Sequence, residues 1–335
     1  MSLSGGPSVG AGESLIVPLP EAADAGDALV GGKARGLGQL MNAGYRVPAG
    51  FCIATSAYEH FLERANLADV IHMEMGRKAF SDMRWEEIWD AALRIRTAFL
   101  AAPIPQEVAD AIVGAFGSLE SGDVAVRSSA PGEDAADRSF AGLHESLVGV
   151  TDAEELLDAV RIVWASLWSD AALLYRKELG LNVAQSRMAV VVQEFEFASV
   201  SGVAFGRDPR DPRDDKQIIE AVPGSCGDLV SGAVDPDRWI IRRSTAEVES
   251  WTQGRRPNDM TTPLLAPDDL STLHGFLLDV ESLIESPPDI EWTGQGADIT
   301  LLQARPMTGT PDEDDERTWY LSLRPGDERL AALCD

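Results

Sequence analysis

A lysine at a helix mouth, an arginine at a strand end, and a carboxylate and an amide on paired strands are residue types that hold polyphosphate and a hard divalent cation. All of these arrangements occur in this sequence. Val30-Gly31-Gly32-Lys33 precedes Leu37, Leu40 and Met41, which repeat at helical spacing, so Lys33 falls in the first turn of a helix opened by two glycines and stopped near Gly44. Glycines let the backbone approach an anion, the helix end offers free N–H groups, and Lys33 adds a full charge. Arg127 ends the apolar run Asp123-Val124-Ala125-Val126 and leads through Ser128, Ser129 and Gly132 towards Phe140, Gly142 and Ser146. Its planar fork can grip phosphate oxygens while a glycine-containing loop folds over them.

A third cluster, Gln193-Glu194-Phe195, ends the strand-like run Met188–Val192 and can present polar groups to a purine ring. The fourth pairs Asp289-Ile290-Glu291-Trp292 with Leu301-Leu302-Gln303-Ala304-Arg305 around a Gly294-Gln295-Gly296 turn. Glu291 and Gln303 stand an even number of positions apart and are expected on one face, with Arg305 facing the same way. Their oxygens are hard ligands suited to Mg²⁺, which keeps several waters and bridges to phosphate. Taken singly, each cluster has a plainer reading: an exposed helix lysine, a solvated loop, a strand edge, a surface ladder.

The elements that must position these groups divide into two regions. Up to about residue 187 the pattern is helix-rich. Leu15–Leu19, Phe51–Ala54 and Asp123–Val126 read as strands; Thr55-Ser56 can cap a helix to Arg64, and Pro105 opens another reaching Phe116. Trp85, Ile88, Trp89, Ala92, Leu93 and Phe99 share a helical face, and one long helix is expected from Asp152 to Leu179. From residue 188 the pattern turns to β, with Met188–Gln193, Val200–Phe205, Gln217–Val222 and Trp239–Arg242 as strands and one helix over Pro267–Ile284. The expected organisation is a disordered tail (1–14), a first lobe with the phosphate loops (15–187), a second lobe with the metal-binding strands (188–308), and an acidic linker and stub (309–335).

The 335 residues carry 55 acidic against 28 basic side chains, a net charge of −27. Such a field repels nucleic acid and anionic membranes, so any anion site must be built locally. Three cysteines, Cys52, Cys226 and Cys334, form neither a disulfide framework nor a zinc pattern. No targeting signal or membrane-length apolar run is legible, and the expected location is the cytoplasm.

Read together, GGKARGLGQLMNAGYRVPAGFCI, VAVRSSAPGEDAADRSFAGLHESLVGV, MAVVVQEFEFASVSGVAFGRDPRD, GAVDPDRW and DIEWTGQGADITLLQARPMTG resemble the ATP-grasp nucleotide-binding domain of the phosphoenolpyruvate synthase, pyruvate phosphate dikinase and rifampicin phosphotransferase family. The resemblance runs from about Leu29 to Met307 and implies an α/β ATP-grasp fold, a helix-rich lobe and a β-rich lobe clasping ATP. It also implies that Lys33, Arg127 and Arg305 serve the phosphates, that Gly142 and Ser146 belong to the loop over the triphosphate, that Gln193 lies at the nucleotide pocket, and that Glu291 and Gln303 hold Mg²⁺.

In this family, ATP is cleaved to AMP and its phosphoryl groups pass to a histidine on a swivelling domain. His60, His72, His144 and His274 lie in no such histidine loop and read as structural or solvated, so the resemblance implies that the histidine domain is supplied in trans or by a longer chain. Pro223-Gly224-Ser225-Cys226-Gly227-Asp228 departs from the family's Gly-Leu-Gly-Glu pattern, with Asp228 one methylene shorter at the acidic position. Two further readings share the motifs: an ATP-grasp ligase that activates a carboxylate and releases ADP, and a nucleotide-binding subunit without turnover.

Overall fold

A computed structural model describes residues 14–132, 145–183, 186–225, 235–254 and 262–307. The N-terminal tail, Gly142 and His144, Cys226 to Asp228, Cys334 and the acidic segment with its stub lie outside the described residues.

Two antiparallel sheets organise the chain. The first has the order β1-β2-β5-β3-β4, built from β1 (Ile16–Pro18), β2 (Gly50–Ile53), β3 (Val124–Ser129), β4 (Ser146–Val150) and β5 (Ala189–Glu194). Its central strands are almost wholly apolar because both faces are covered. On one face Phe51, Ile53, Val126, Val190 and Val192 join the main core. That core is closed by α3 (Thr55–Arg64), α4 (Leu67–Met75), α5 (Trp85–Ala101), α6 (Gln106–Phe116), α7 (Ala153–Ser166) and α8 (Asp170–Glu178). Tyr58, Phe61, Phe99, Trp164 and Trp168 pack there in stacked and edge-on pairs, and the Trp168 indole donates to the Tyr58 hydroxyl at 2.9 Å. On the other face Val17, Cys52, Ala189 and Val191 are sealed by Val30, Ala34 and Leu37 of α2 (Asp27–Asn42), which follows the short α1 (Leu19–Ala22).

The second sheet has the order β11-β10-β6-β7-β8-β9, from β6 (Val200–Phe205), β7 (Lys216–Pro223), β8 (Asp237–Arg242), β9 (Val248–Thr252), β10 (Pro288–Thr293) and β11 (Thr300–Pro306). Ala204, Ile219, Trp239, Ile290, Trp292 and Leu301 face α9 (Pro267–Ile284), whose Leu270, Leu273, Leu277 and Val280 complete a second core. Leu40, near the far end of α2, belongs to this second core.

Several expectations need correction. The run ending at Gln193, assigned above to the second lobe, is a central strand of the first sheet, paired with β2 and β3. The change of sheet therefore follows Glu194. The single helix expected over Asp152–Leu179 is two, because the chain breaks at Leu167–Ser169 and Ser169 Oγ accepts from Ala172 N to cap the second. Thr55 and Ser56 do not cap α3; their hydroxyls donate to the carbonyls of Ala28 and Ser14. His72 lies inside α4. On α5, Ile88, Ala92 and Phe99 are buried, whereas Trp85 and Trp89 are 63% and 52% exposed. No single helix among the described residues is long and apolar enough to cross a membrane.

Candidate functional site

The site forms where α2, β3 and the hairpin of β10 and β11 meet. Gly31 in α2 adopts φ 72°, ψ 169°, which breaks the helix into two pieces so that Lys33 lies in the first turn of the second piece. Only glycine is comfortable there: a Cβ would meet the backbone of Ser129 in β3. At the other side of α2, Gly36 lies close under the Ala304 carbonyl of β11. The lysine-bearing turn is thus seated on both sheets.

Arg127 shares the α2-covered face of the first sheet, since it lies opposite Val191, which lies opposite Cys52. Ser146 opens β4 directly opposite Arg127. Gln193 is on the same face, two positions beyond Val191, but it is buried and its amide donates to the Pro48 carbonyl at 3.4 Å. Gly142 lies outside the described residues. The Ser128 and Ser129 side chains, which follow Arg127 on β3, are both buried. Ser129 Oγ is engaged by α2, donating to Val30 O at 2.7 Å and accepting from Ala34 N at 3.2 Å.

On the second sheet Glu291 and Gln303 are direct cross-strand partners. That pairing depends on a bulge. Thr293 pairs with Thr300 and Trp292 with Leu301, a register that would place Leu302 opposite Glu291 and turn Gln303 to the other face. Instead Leu302 is skipped and Gln303 takes the place. The Leu302 carbonyl accepts from Arg127 Nη1 at 3.1 Å, while Arg127 Nη2 is ion-paired with Glu291. One arginine of the first sheet thereby reads both strands of the hairpin.

Asp289, the strand neighbour of Glu291 on the same face, was not singled out by sequence reading. It accepts from Arg305 through Nε at 2.9 Å and Nη2 at 2.7 Å, fixing that guanidinium beside Glu291. The period-two spacing of Asp289 and Glu291 was the available signal. Burial alone would push the Glu291 carboxyl up; Arg127 first, then Arg305 and Lys33, hold it below its ordinary value. Burial pushes the Asp289 carboxyl up, against the pull of Arg305 and with the help of the Glu291 charge. The result is an ionised carboxylate facing three cations from three separate elements.

This arrangement can receive a polyanion and a cation together. No group of three or more His, Cys, Asp or Glu among the described residues can hold a metal ion by itself. The donor set of Glu291 and Gln303, two hard oxygens with the remaining positions left to water and phosphate, fits Mg²⁺ rather than a soft metal. His60 lies against Glu107 at 3.1 Å and His274 against Gln217 at 2.7 Å, partners outside this constellation.

Residues 27–320 match the family described as pyruvate phosphate dikinase, AMP/ATP-binding domain. A phosphoenolpyruvate synthase of Aeropyrum pernix is 33% identical over 84% of this chain and 40% of its own length. A rifampicin phosphotransferase of Streptomyces sp is 32% identical over 90% of this chain and 37% of its own, and a probable phosphoenolpyruvate synthase of Methanocaldococcus jannaschii is 30% identical over 84% and 25%. The chain therefore spans well under half the length of these relatives.

Proposed function

The chain belongs to the family of pyruvate phosphate dikinase AMP/ATP-binding domains, and from that premise we propose that it is the ATP-binding half of a phosphotransferase of the phosphoenolpyruvate synthase type. Lys33 and Arg305 receive the β- and γ-phosphates, with Arg127 released to them from Glu291. Glu291 and Gln303 hold Mg²⁺, and Gly142 and Ser146 belong to the segment that covers the triphosphate. Gln193 and the chain after it flank the base. The observation that carries this reading is the convergence of Lys33, Arg127 and Arg305 on one ionised, mostly buried carboxylate.

Phosphoryl transfer asks little covalent chemistry of a protein; positioning and charge neutralisation do most of the work. Held by Glu291 and Gln303, Mg²⁺ would supply charge neutralisation to the phosphates. The arginines and the lysine orient the chain of phosphates in line with an acceptor. That acceptor is a histidine of a further domain, in the same longer protein or on a partner. Its ring nitrogen bonds to the β-phosphorus, the bond to the α-phosphate oxygen breaks, and AMP leaves. The location that goes with this reading is the cytoplasm, and the acidic surface disfavours a nucleic-acid or anionic-membrane partner.

Calorimetric titration with ATP, with and without Mg²⁺, tests the reading, followed by chromatography of the nucleotide after addition of a histidine-bearing domain. Mg²⁺-dependent binding and AMP as product support it. ADP as product would point to carboxylate activation instead, and absence of binding would leave only a scaffold.

A further inference from the structure

Val30 and Ala34 are four residues apart, so in an unbroken helix the Val30 carbonyl would accept from the Ala34 amide. The left-handed turn at Gly31 interrupts α2 between them. Ser129 Oγ stands in that gap: it donates to Val30 O at 2.7 Å and accepts from Ala34 N at 3.2 Å, using one hydroxyl to serve both ends of the broken rung. Ser129, Val30 and Ala34 are all fully buried, so water is not available to replace it. We propose that Ser129 is a positioning residue for Lys33, setting where the lysine-bearing turn of α2 stands relative to Arg127 and Glu291.

The linkage is short and rigid. Ser129 is two positions beyond Arg127 on the same strand and the same face, so the groove that holds Arg127 against Glu291 also holds the start of the Lys33 turn. The Ser129 backbone fills the space a Gly31 side chain would need and its hydroxyl bonds the groups either side of Gly31, so helix and strand are keyed together there. Without the hydroxyl, the buried carbonyl and amide lose this partner, and the kinked turn is free to rewind towards a regular helix. Rewinding shifts the Lys33 turn relative to the strand that carries Arg127. The inference rests on the reading of Lys33 as a phosphate ligand.

The test is a double-mutant cycle on ATP affinity, measured by calorimetry in Mg²⁺ with wild type, Ser129→Ala, Lys33→Ala and the double variant, below the melting temperature of each. Ser129→Ala is expected to weaken ATP by roughly tenfold or more, the scale at which small misplacements are felt. Added to Lys33→Ala it should cost nothing further, because it acts only through that lysine. A merely structural serine would lower the melting temperature in both backgrounds and leave affinity unchanged, or change it additively; either result overturns the proposal. Ser129→Cys keeps the side chain's volume with a poorer donor, should fall between wild type and alanine, and takes alanine's place in the cycle if that variant does not fold. If wild type binds ATP and Lys33→Ala binds it equally well, the phosphate reading of Lys33 has failed instead, and this inference with it.

Discussion

Arg127 on the third strand and Glu291 on the tenth are ion-paired across the two sheets, and the same guanidinium donates to the Leu302 carbonyl at 3.1 Å. A proposed phosphate ligand and a proposed metal ligand are thus already partnered with one another. On the proposed reading, Mg²⁺ and phosphate arriving together would exchange this internal pair for two external ones, so that neither charge would be left uncompensated in a mostly buried place.

Removing one member of the pair should therefore hurt more than removing its charge partner conservatively. Arg127→Ala leaves the Glu291 carboxylate with only Arg305 and Lys33 nearby and should cost about 3 kcal/mol of stability, read by denaturant unfolding, together with ATP binding. Glu291→Gln keeps the shape and an acceptor for the guanidinium but leaves the Arg127 charge unpaired, so it too should lose stability, by less than Arg127→Ala. A stable Arg127→Ala protein that binds Mg·ATP normally would remove the pair from both roles.

Mg²⁺ dependence separates the metal ligands from the cations. Wild-type affinity for ATP should fall when Mg²⁺ is withdrawn by EDTA, whereas Glu291→Gln should bind ATP weakly and with little difference between the two conditions. An unchanged Mg²⁺ response in that variant would place the metal elsewhere.

At Gly31 the prediction is steric. Alanine there must adopt φ 72° and push its Cβ into the Ser129 backbone, so Gly31→Ala should destabilise by about 2 kcal/mol or more. Gly44, also at positive φ but with open space around it, should tolerate alanine better. Equal melting temperatures for the two variants would show that α2 can slide.

The Glu220 carboxyl, ion-paired with Arg238 on β8, is pushed up by burial against the pull of Arg238 and Arg210. A carboxyl raised in the fold binds its proton more tightly there than in the unfolded chain. Its contribution to stability is thus complete below its unfolded value and lost as pH rises through the folded one. Glu220→Gln should then match or exceed wild type in thermal stability near pH 7.5, with the difference shrinking as pH falls to about 4. A difference that grows on acidification would reverse the sign of the shift.

The α7 cap gives a local check on stability. Asp152 accepts from the amides of Glu154 and Glu155, both at 2.9 Å, so Asp152→Ala should cost about 1 kcal/mol in urea unfolding and leave nucleotide binding intact.

Much of the site could be read from residue types because the chemistry demands them: a lysine after paired glycines, an arginine at a strand end, and hard ligands on a hairpin. What spacing could not supply was irregular backbone. Even spacing placed Glu291 and Gln303 on one face only because of a bulge at Leu302, which no periodicity marks. The left-handed turn at Gly31 was legible as glycine but not as a gap filled by a serine 98 residues away in sequence. Strand Ala189–Glu194 was recognised, yet its sheet was not, since an apolar run buried on both faces looks the same in either lobe. The helix break before Asp170 was hidden because the apolar pattern continues through Leu167 and Trp168, both of which stay buried.

Helix α2 has one more consequence. Its Val30, Ala34 and Leu37 are sealed against the first sheet, while Leu40, one turn further on, is part of the core beneath α9. One helix, kinked at Gly31, is thus a structural member of two hydrophobic interiors, and neither interior is complete without it. The two lobes accordingly lack separate thermodynamic identities: heat should melt them in a single cooperative transition, and cleavage within the Phe195–Ser199 connection should leave the two pieces associated.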